Sequence, residues 1–357
     1  MAGRKPMGKS GPEEPGNGER RATIREVAAA ANVSIGTVSR VVLGNVPVSS
    51  ELSERVLAAA QSLGYRPKGK GIVAAKSPAV RLVGLFVTDL SNLLYGQVVS
   101  AVEERLAQLG YTLVVANTQN DERREQELLT LLSEGVLTGA IMSIGTERQP
   151  RLKQALRKAK VPSVILDREP PEGVDSVLVD HREGALGACR YLISLGHKRI
   201  AMITADRIVR PGVERIAGFA QAHREAGLPF DEELIRAGCI TADAACAETR
   251  QLLQSATRPT AIMTLGSQAL TGTLRGIDIL GLSIPKDVSV FCFGDTDTAR
   301  IVRPPMTCVQ WDRRELGRQA VDILIGRMEG KTDSPPRSIV LPTEIILRQS
   351  CAPPFQP

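Results

Sequence analysis

Between Thr23 and Val42 the chain reads TIREVAAAANVSIGTVSRVV, and the spacing of its apolar residues predicts two short helices joined by a tight turn. Thr23 and Glu26 stand at the spacing of a capping box, and Ile24, Val27, Ala28 and Ala31 follow at i, i+3, i+4 and i+7 on one face. Asn32 ends this helix and Val33 supplies an apolar contact in the turn. Ser34 is placed to cap a second helix by accepting a backbone N–H, and Val38, Val41 and Val42 fall on its inner face. Ile35, Gly36, Thr37, Ser39 and Arg40 are left facing outward. In a helix-turn-helix the start of the second helix enters the major groove, so these side chains are the ones positioned to meet base edges and phosphates. A third helix is predicted from Ser50 to Leu63, with Leu52, Val56, Ala60 and Leu63 inward and Gly64 closing it. Any small three-helix bundle would show such periodicity; charge narrows the choice. Residues 1–70 hold eleven Lys or Arg against six Asp or Glu, so most of the net +6 lies in the first fifth of the chain. That asymmetry suits a phosphate-binding module attached to a near-neutral body.

The other 287 or so residues allow one or two further domains, and 43% hydrophobic with 3% aromatic content fits an aliphatic α/β core. Short β-branched runs (RLVGLFV, YTLVVAN, GAIMSI, PSVILD, SVLVD, then RIAMIT, TAIMTLG and SVFCFGD) alternate with amphipathic stretches, which predicts parallel sheets with helices on both faces. Leu94, Val98, Val102, Leu106 and Leu109 form one helical stripe, ending at Gly110, of a kind that packs on a sheet. The helix that carries this stripe, with a counterpart after Asp243, is a candidate dimer contact. No apolar run approaches the ~20 residues that span a bilayer, and the polar N-terminus has no export signal, so a cytoplasmic protein, nucleoid-associated when on DNA, with no membrane partner is expected. Cys189, Cys239, Cys246, Cys292, Cys308 and Cys351 show no C-x-x-C pairing and lie mostly in apolar runs, as buried reduced thiols would. No metal site and no cofactor is expected.

The pattern T-[IL]-x-[DE]-V-A-x-x-A-x-V-S-x-x-T-V-S-R-V is met at every fixed position from Thr23 to Val41, and it resembles the headpiece of the lactose-repressor (LacI) family of bacterial regulators. DLSN (89–92), the ILD ending at Asp167, VDHREGA (179–185), LGHKRIA (195–201), IPKDVSV (284–290) and LPTEIILRQS follow in the family's order. The resemblance implies an α/β chain: a three-helix helix-turn-helix headpiece plus a two-lobed, periplasmic-binding-protein-like body of parallel sheets flanked by helices. The expected boundaries are a disordered basic lead at 1–21, the DNA-binding domain at 22–66, a hinge linker at 67–80, the body at 81–350 and a tail at 351–357. Lobe one is expected over about 81–179 and 311–338, and lobe two over about 180–310 and 339–350, with three crossings near 180, 310 and 338. An effector then sits between the lobes, at the carboxyl ends of the strands.

The implied function is a DNA-binding transcriptional regulator, a repressor acting as a homodimer on a pseudo-palindromic double-stranded operator. Besides Ser34 to Thr37, Ser39 and Arg40, the expected DNA-facing set includes Thr23, Asn45 and Tyr65. Relatives wedge a leucine from the linker into the minor groove. No leucine occurs between Tyr65 and Arg81, which leaves Ile72 or Val73 as smaller wedges, while Gly69 and Gly71 each oppose a linker helix by roughly 1 kcal/mol.

The pocket departs from the family's pattern. Alignment through Arg215, Gly218 and Phe219 places Val213 where a ligand arginine is expected, Gly266 and Ser267 at an N-D pair, and Gly294 at the first aspartate of D-D, leaving Asp295. Asp167, Ser91 and Asn92 persist; Leu94, Tyr95, Ile240 and Trp311 complete the expected lining. Each buried sugar hydroxyl left unpaired costs ~1–3 kcal/mol, so too few polar groups would exclude an ordinary sugar. Either the unknown small-molecule effector is flatter and more apolar, packing on Trp311 and Tyr95 with Asp167 as anchor, or the cleft is vestigial or serves a protein partner. An enzyme is not expected: G-x-x-x-x-G-K-[ST], G-x-S-x-G and H-E-x-x-H are all absent. A free-standing solute-binding protein would have no use for the headpiece.

Overall fold

A computed structural model describes residues 22–43, 49–65, 81–92, 94–144, 154–156, 161–266, 268–330 and 335–355. The chain divides into two compact units, residues 1–80 and 81–357. Asn45, Ile72, Val73 and Ser267 fall outside the described residues.

In the first unit α1 (Ile24–Ala30), α2 (Ile35–Leu43) and α3 (Ser50–Ser62) enclose a core centred on the fully buried Val27, Val38 and Val56. The capping box forms: Thr23 Oγ1 accepts from the Glu26 N–H at 3.4 Å, and the Glu26 carboxylate accepts from the Thr23 N–H at 2.6 Å. α1 and α3 end alike. Asn32 and Gly64 take left-handed φ of 51° and 63°, and the N–H groups of Val33 and Tyr65 return to the carbonyls of Ala28 and Ala60. Because this turn swings the chain back, Tyr65 packs on the core in the place expected for Leu63, which is 40% exposed.

The second unit begins with β1 (Leu82–Val87), α4 (Leu94–Gln108), β2 (Thr112–Asn117), α5 (Glu122–Ser133), β3 (Gly139–Ser143), β4 (Ser163–Leu166) and β5 (Asp175–Val179). It crosses into α6 (His181–Ser194), β6 (Ile200–Thr204), α7 (Arg210–Glu225), β7 (Ile235–Ala237), α8 (Ala242–Gln254), β8 (Ala261–Leu265), α9 (Gln268–Ile279), β9 (Ser289–Phe293), α10 (Asp297–Ile301) and β10 (Thr307–Gln310). A second crossing leads back to α11 (Arg313–Met328) and β11 (Ser338–Leu341), and a third to β12 (Glu344–Ile346). Lobe one is thus the sheet β11-β5-β4-β3-β1-β2, parallel throughout, and lobe two is β12-β10-β9-β8-β6-β7. Strands β6, β8 and β9 are buried at every position, which is why IAMIT, AIMTL and SVFCF lack polar alternation.

Three expectations change. The third crossing lies after residue 341, not near 338: Ser338–Leu341 pairs in parallel with Ser176–Val179, and Pro342, without an N–H, ends the ladder. β12 runs antiparallel to β10, so lobe two is not wholly parallel. Val98, Val102 and Leu106 of the α4 stripe lie in the core of lobe one against α11, where Gly317 admits the Val98 carbonyl, so a dimer contact through α4 is confined to its opposite face.

Candidate functional site

On α2 the sequence places its polar residues where the core does not reach. Ser34 Oγ accepts from the Thr37 N–H at 3.1 Å and lies 2.9 Å from Thr37 Oγ1, so cap and first turn are locked together. Ile35 is 46% exposed, Gly36 and Arg40 are exposed, and Thr37 and Ser39 are half-buried. A Cβ on Gly36 would stand 3.9 Å from Arg40 Nη2, so the guanidinium lies back along the helix one turn away. Thr23 is exposed and engaged in its capping box, and the half-buried Tyr65 packs on the core.

Between the two lobes lies a cavity of about 490 Å³. It is walled by strand ends, as an open parallel sheet dictates: Thr88 and Asp89 after β1, Asp167 and Arg168 after β4, Ala205 and Asp206 after β6, Gly238 and Ile240 after β7. Trp311 and Arg313, at the second crossing, line it as well. Lobe-to-lobe bonds span the cleft: Gln268 Nε2 donates to Ser91 Oγ at 2.9 Å, and Arg313 Nη2 donates to the Asp295 carbonyl at 3.2 Å.

Asp167 organises the hinge side. It holds a left-handed φ of 51°, a conformation aspartate tolerates better than most residues, and its carboxylate accepts from the Val179 N–H at 3.2 Å and from His181 Nε2 at 2.9 Å. Arg215 Nη2 lies 3.1 Å from His181 Nδ1. A guanidinium only donates, so Nδ1 must be the acceptor and the ring proton resides on Nε2, aimed at Asp167. Burial first, and then the Arg215 charge, push the His181 pKa down to about 4. Burial opposes ionisation of Asp167, but His181, Arg168 and Arg215 outweigh it and hold its carboxyl below the usual range. The Trp311 ring meets His181 edge-on at 5.5 Å and carries the Arg313 guanidinium at 5.4 Å.

Of the expected lining residues, Asn92, Leu94, Tyr95, Asp167, Ile240 and Trp311 face the cavity; Ser91, Val213, Gly266 and Gly294 do not. Ser91 is spent on Asp89 and Gln268. Gly266 and Gly294 are backbone contacts: a Cβ on Gly266 would lie 2.2 Å from the Gly294 carbonyl, and one on Gly294, at φ 108°, would lie 3.0 Å from Leu94. Tyr95 gives its hydroxyl to Ser143, at 2.8 Å. Arg168, Arg215, Asp206, Gln268 and Arg313 face the cavity from positions the alignment passed over, beside a lining that is mainly apolar. Arg215 had served only as an alignment anchor, and Arg168 and Arg313 stand one and two residues from Asp167 and Trp311. Among the described residues no group of His, Cys, Asp and Glu could hold a metal, and all six thiols are free.

The family model for bacterial regulatory proteins of the lacI family matches residues 23–68, and that for a periplasmic binding protein-like domain matches residues 189–351. The transcriptional regulator DegA of Bacillus subtilis (strain 168) is 30% identical over 336 residues, covering 93% of this chain and 99% of its own. The chain belongs to the LacI family. This LacI-family protein is a DNA-binding transcriptional regulator, and its relatives are regulators, not enzymes. Among solved structures, the regulator CelR in complex with cellobiose is 31% identical with a TM-score of 0.70, covering 92% of this chain and 100% of that one. The lac repressor dimer bound to operator and the anti-inducer ONPF is 26% identical with a TM-score of 0.69, covering 93% and 100%. No helix among the described residues is long and apolar enough to cross a membrane.

Proposed function

We propose that this protein is a repressor that binds a pseudo-palindromic operator as a homodimer and is modulated by a small polar effector in the cleft. The observation that carries this is the pairing of an α2 whose Ser34-capped first turn presents Ile35, Thr37 and Arg40 with a roughly 490 Å³ cavity, mainly apolar with a few charged and polar groups, between two bonded lobes. Arg40 is the direct reader, able to pair bidentately with guanine, Ile35 and Thr37 meet thymine methyls, and Gly36 permits close approach. A dimer presents two such helices about a two-fold axis, which selects a palindrome. A lac repressor dimer on its operator and CelR with cellobiose support both halves by similarity.

Footprinting of the full chain on genomic fragments tests the first half. Symmetric half-sites are expected, and equal affinity for any duplex would sink it. Light scattering on the same sample should give twice the 38.3 kDa chain mass. Trp311, the sole tryptophan, lines the cavity and should report effector binding by fluorescence.

A further inference from the structure

The inner wall of the cleft is more positive than its mouth. Arg168, Arg215 and Arg313 line it at 9%, 5% and 7% exposure, and Asp167 is the lining carboxylate that meets them there. The other lining carboxylates, Asp89, Glu122 and Asp206, are half-exposed or exposed, and Asp89 and Asp206 are occupied in part by neighbouring N–H groups of their own turns.

Arg313 has only neutral hydrogen-bond acceptors, and the nearby Asp295 carboxylate offsets part of its charge. Its Nη1 donates to Gln97 Oε1 at 3.3 Å and its Nη2 to the Asp295 carbonyl at 3.2 Å, both neutral acceptors. The Asp295 carboxylate is committed to Arg300 and Arg348, at 2.9 and 2.8 Å. Nε of Arg313 and Nε of Arg215 have no hydrogen-bond partner among the described residues. Both guanidiniums approach the end of β9: Arg215 lies over the Phe293 ring at 5.1 Å, and Arg313 reaches the carbonyl two residues on. A buried guanidinium whose hydrogen-bond acceptors are neutral is costly, and the Trp311 face and the Asp295 charge offset only part of that.

We infer that the effector carries an anionic group, a carboxylate or a phosphate, which docks on Arg313 beside Trp311. This rests on the cleft being an effector site. A neutral hydroxyl satisfies an orphan N–H but leaves the charge unanswered, whereas an oxyanion does both with shorter, stronger bonds. A cavity of about 490 Å³ suits a molecule of monosaccharide size bearing such a group.

The test uses the full chain, thermal shift and Trp311 fluorescence, and two matched triples: glucose, glucuronate and glucose 6-phosphate; ribose, ribonate and ribose 5-phosphate. Acetate and inorganic phosphate serve as bare-ion controls. At least one charged member should bind tenfold or more tighter than its neutral parent, weakening as salt is raised. The acid and phosphate arms separate the two sources of charge. Arg313→Gln should abolish the preference and Arg313→Lys should keep part of it; the wild-type comparison stands even where Arg313→Gln fails to fold. Neutral parents binding as tightly as the anions, or a preference that survives in Arg313→Gln, overturns the inference while the effector reading stands. If no probe of either kind shifts the melting point or the fluorescence, both fall.

Discussion

Arg215 donates to His181 Nδ1 across 3.1 Å, and that single bond fixes the tautomer of a buried imidazole at the lobe junction. Because Nδ1 is occupied by a cation, protonating His181 would set an N–H against N–H donors. The neutral ring is therefore the form that hands its Nε2 proton to Asp167 and ties β4 of lobe one to α6 of lobe two.

This arrangement sets a pH dependence of stability. The unfolded histidine takes up a proton near its ordinary value of 6.5, the folded one only at about 4. Between those limits the unfolded chain binds more protons, so stability is full above about 6.5 and falls on acidification towards 4, by at most about 1.4 kcal/mol per pH unit. His197, whose pKa burial also lowers, acts with the same sign. The difference between wild type and His181→Gln in urea titrations at pH 7, 6 and 5 isolates the His181 share. Identical slopes in the two proteins would remove it.

Arg40→Ala should cost ~1–3 kcal/mol of operator affinity and relax selection at one base pair per half-site. Anisotropy titrations on operators randomised at that pair measure both. A uniform loss over all sequences would demote Arg40 to a phosphate contact.

Gly36→Ala should separate stability from recognition. The added Cβ meets Ser34 Oγ and Arg40 Nη2 only at 3.7 and 3.9 Å, so the headpiece should gain up to about 1 kcal/mol from helix propensity. Operator affinity should fall, because a methyl group then holds the helix off the groove. Unchanged affinity in the stabilised variant would contradict the close approach assigned to this residue.

Gly266→Ala and Gly96→Ala should differ sharply. The first drives a Cβ to 2.2 Å from the Gly294 carbonyl and should destabilise the body by at least about 3 kcal/mol. The second meets nothing within 4 Å on α4 and should be neutral or mildly stabilising. Chemical denaturation of both variants decides this; equal stabilities would refute the backbone role given to Gly266.

How far the sequence carried can be judged at particular residues. Thr23, Glu26, Val27, Val38 and Ser34 act where their spacing puts them, because caps and helix faces are local properties. Eight β-branched runs were legible as strands, whereas β7 and β12, of three residues, are too short to show a period, and β10 and β11, of four like β4, went unread. The pocket was read less well. Gly266 and Gly294 looked like lost ligands because a list of side-chain types does not show that the Gly266 N–H bonds the Phe293 carbonyl and that of Gly294 the Val309 carbonyl. Arg313 escaped notice for the converse reason. Only the return of the chain at Trp311 brings the first turn of α11 against Asp295.

That return has a consequence during synthesis. Strands β1 to β5 leave the ribosome first, yet their sheet lacks its β11 edge, and the apolar face of α4 lacks α11, until residues 313–341 emerge. At ~5–20 residues per second, translating the intervening lobe keeps those surfaces uncovered for on the order of 10 s. The lobe begun first is completed only after most of lobe two has been made, so the nascent protein meets its greatest demand for chaperone shelter during that interval.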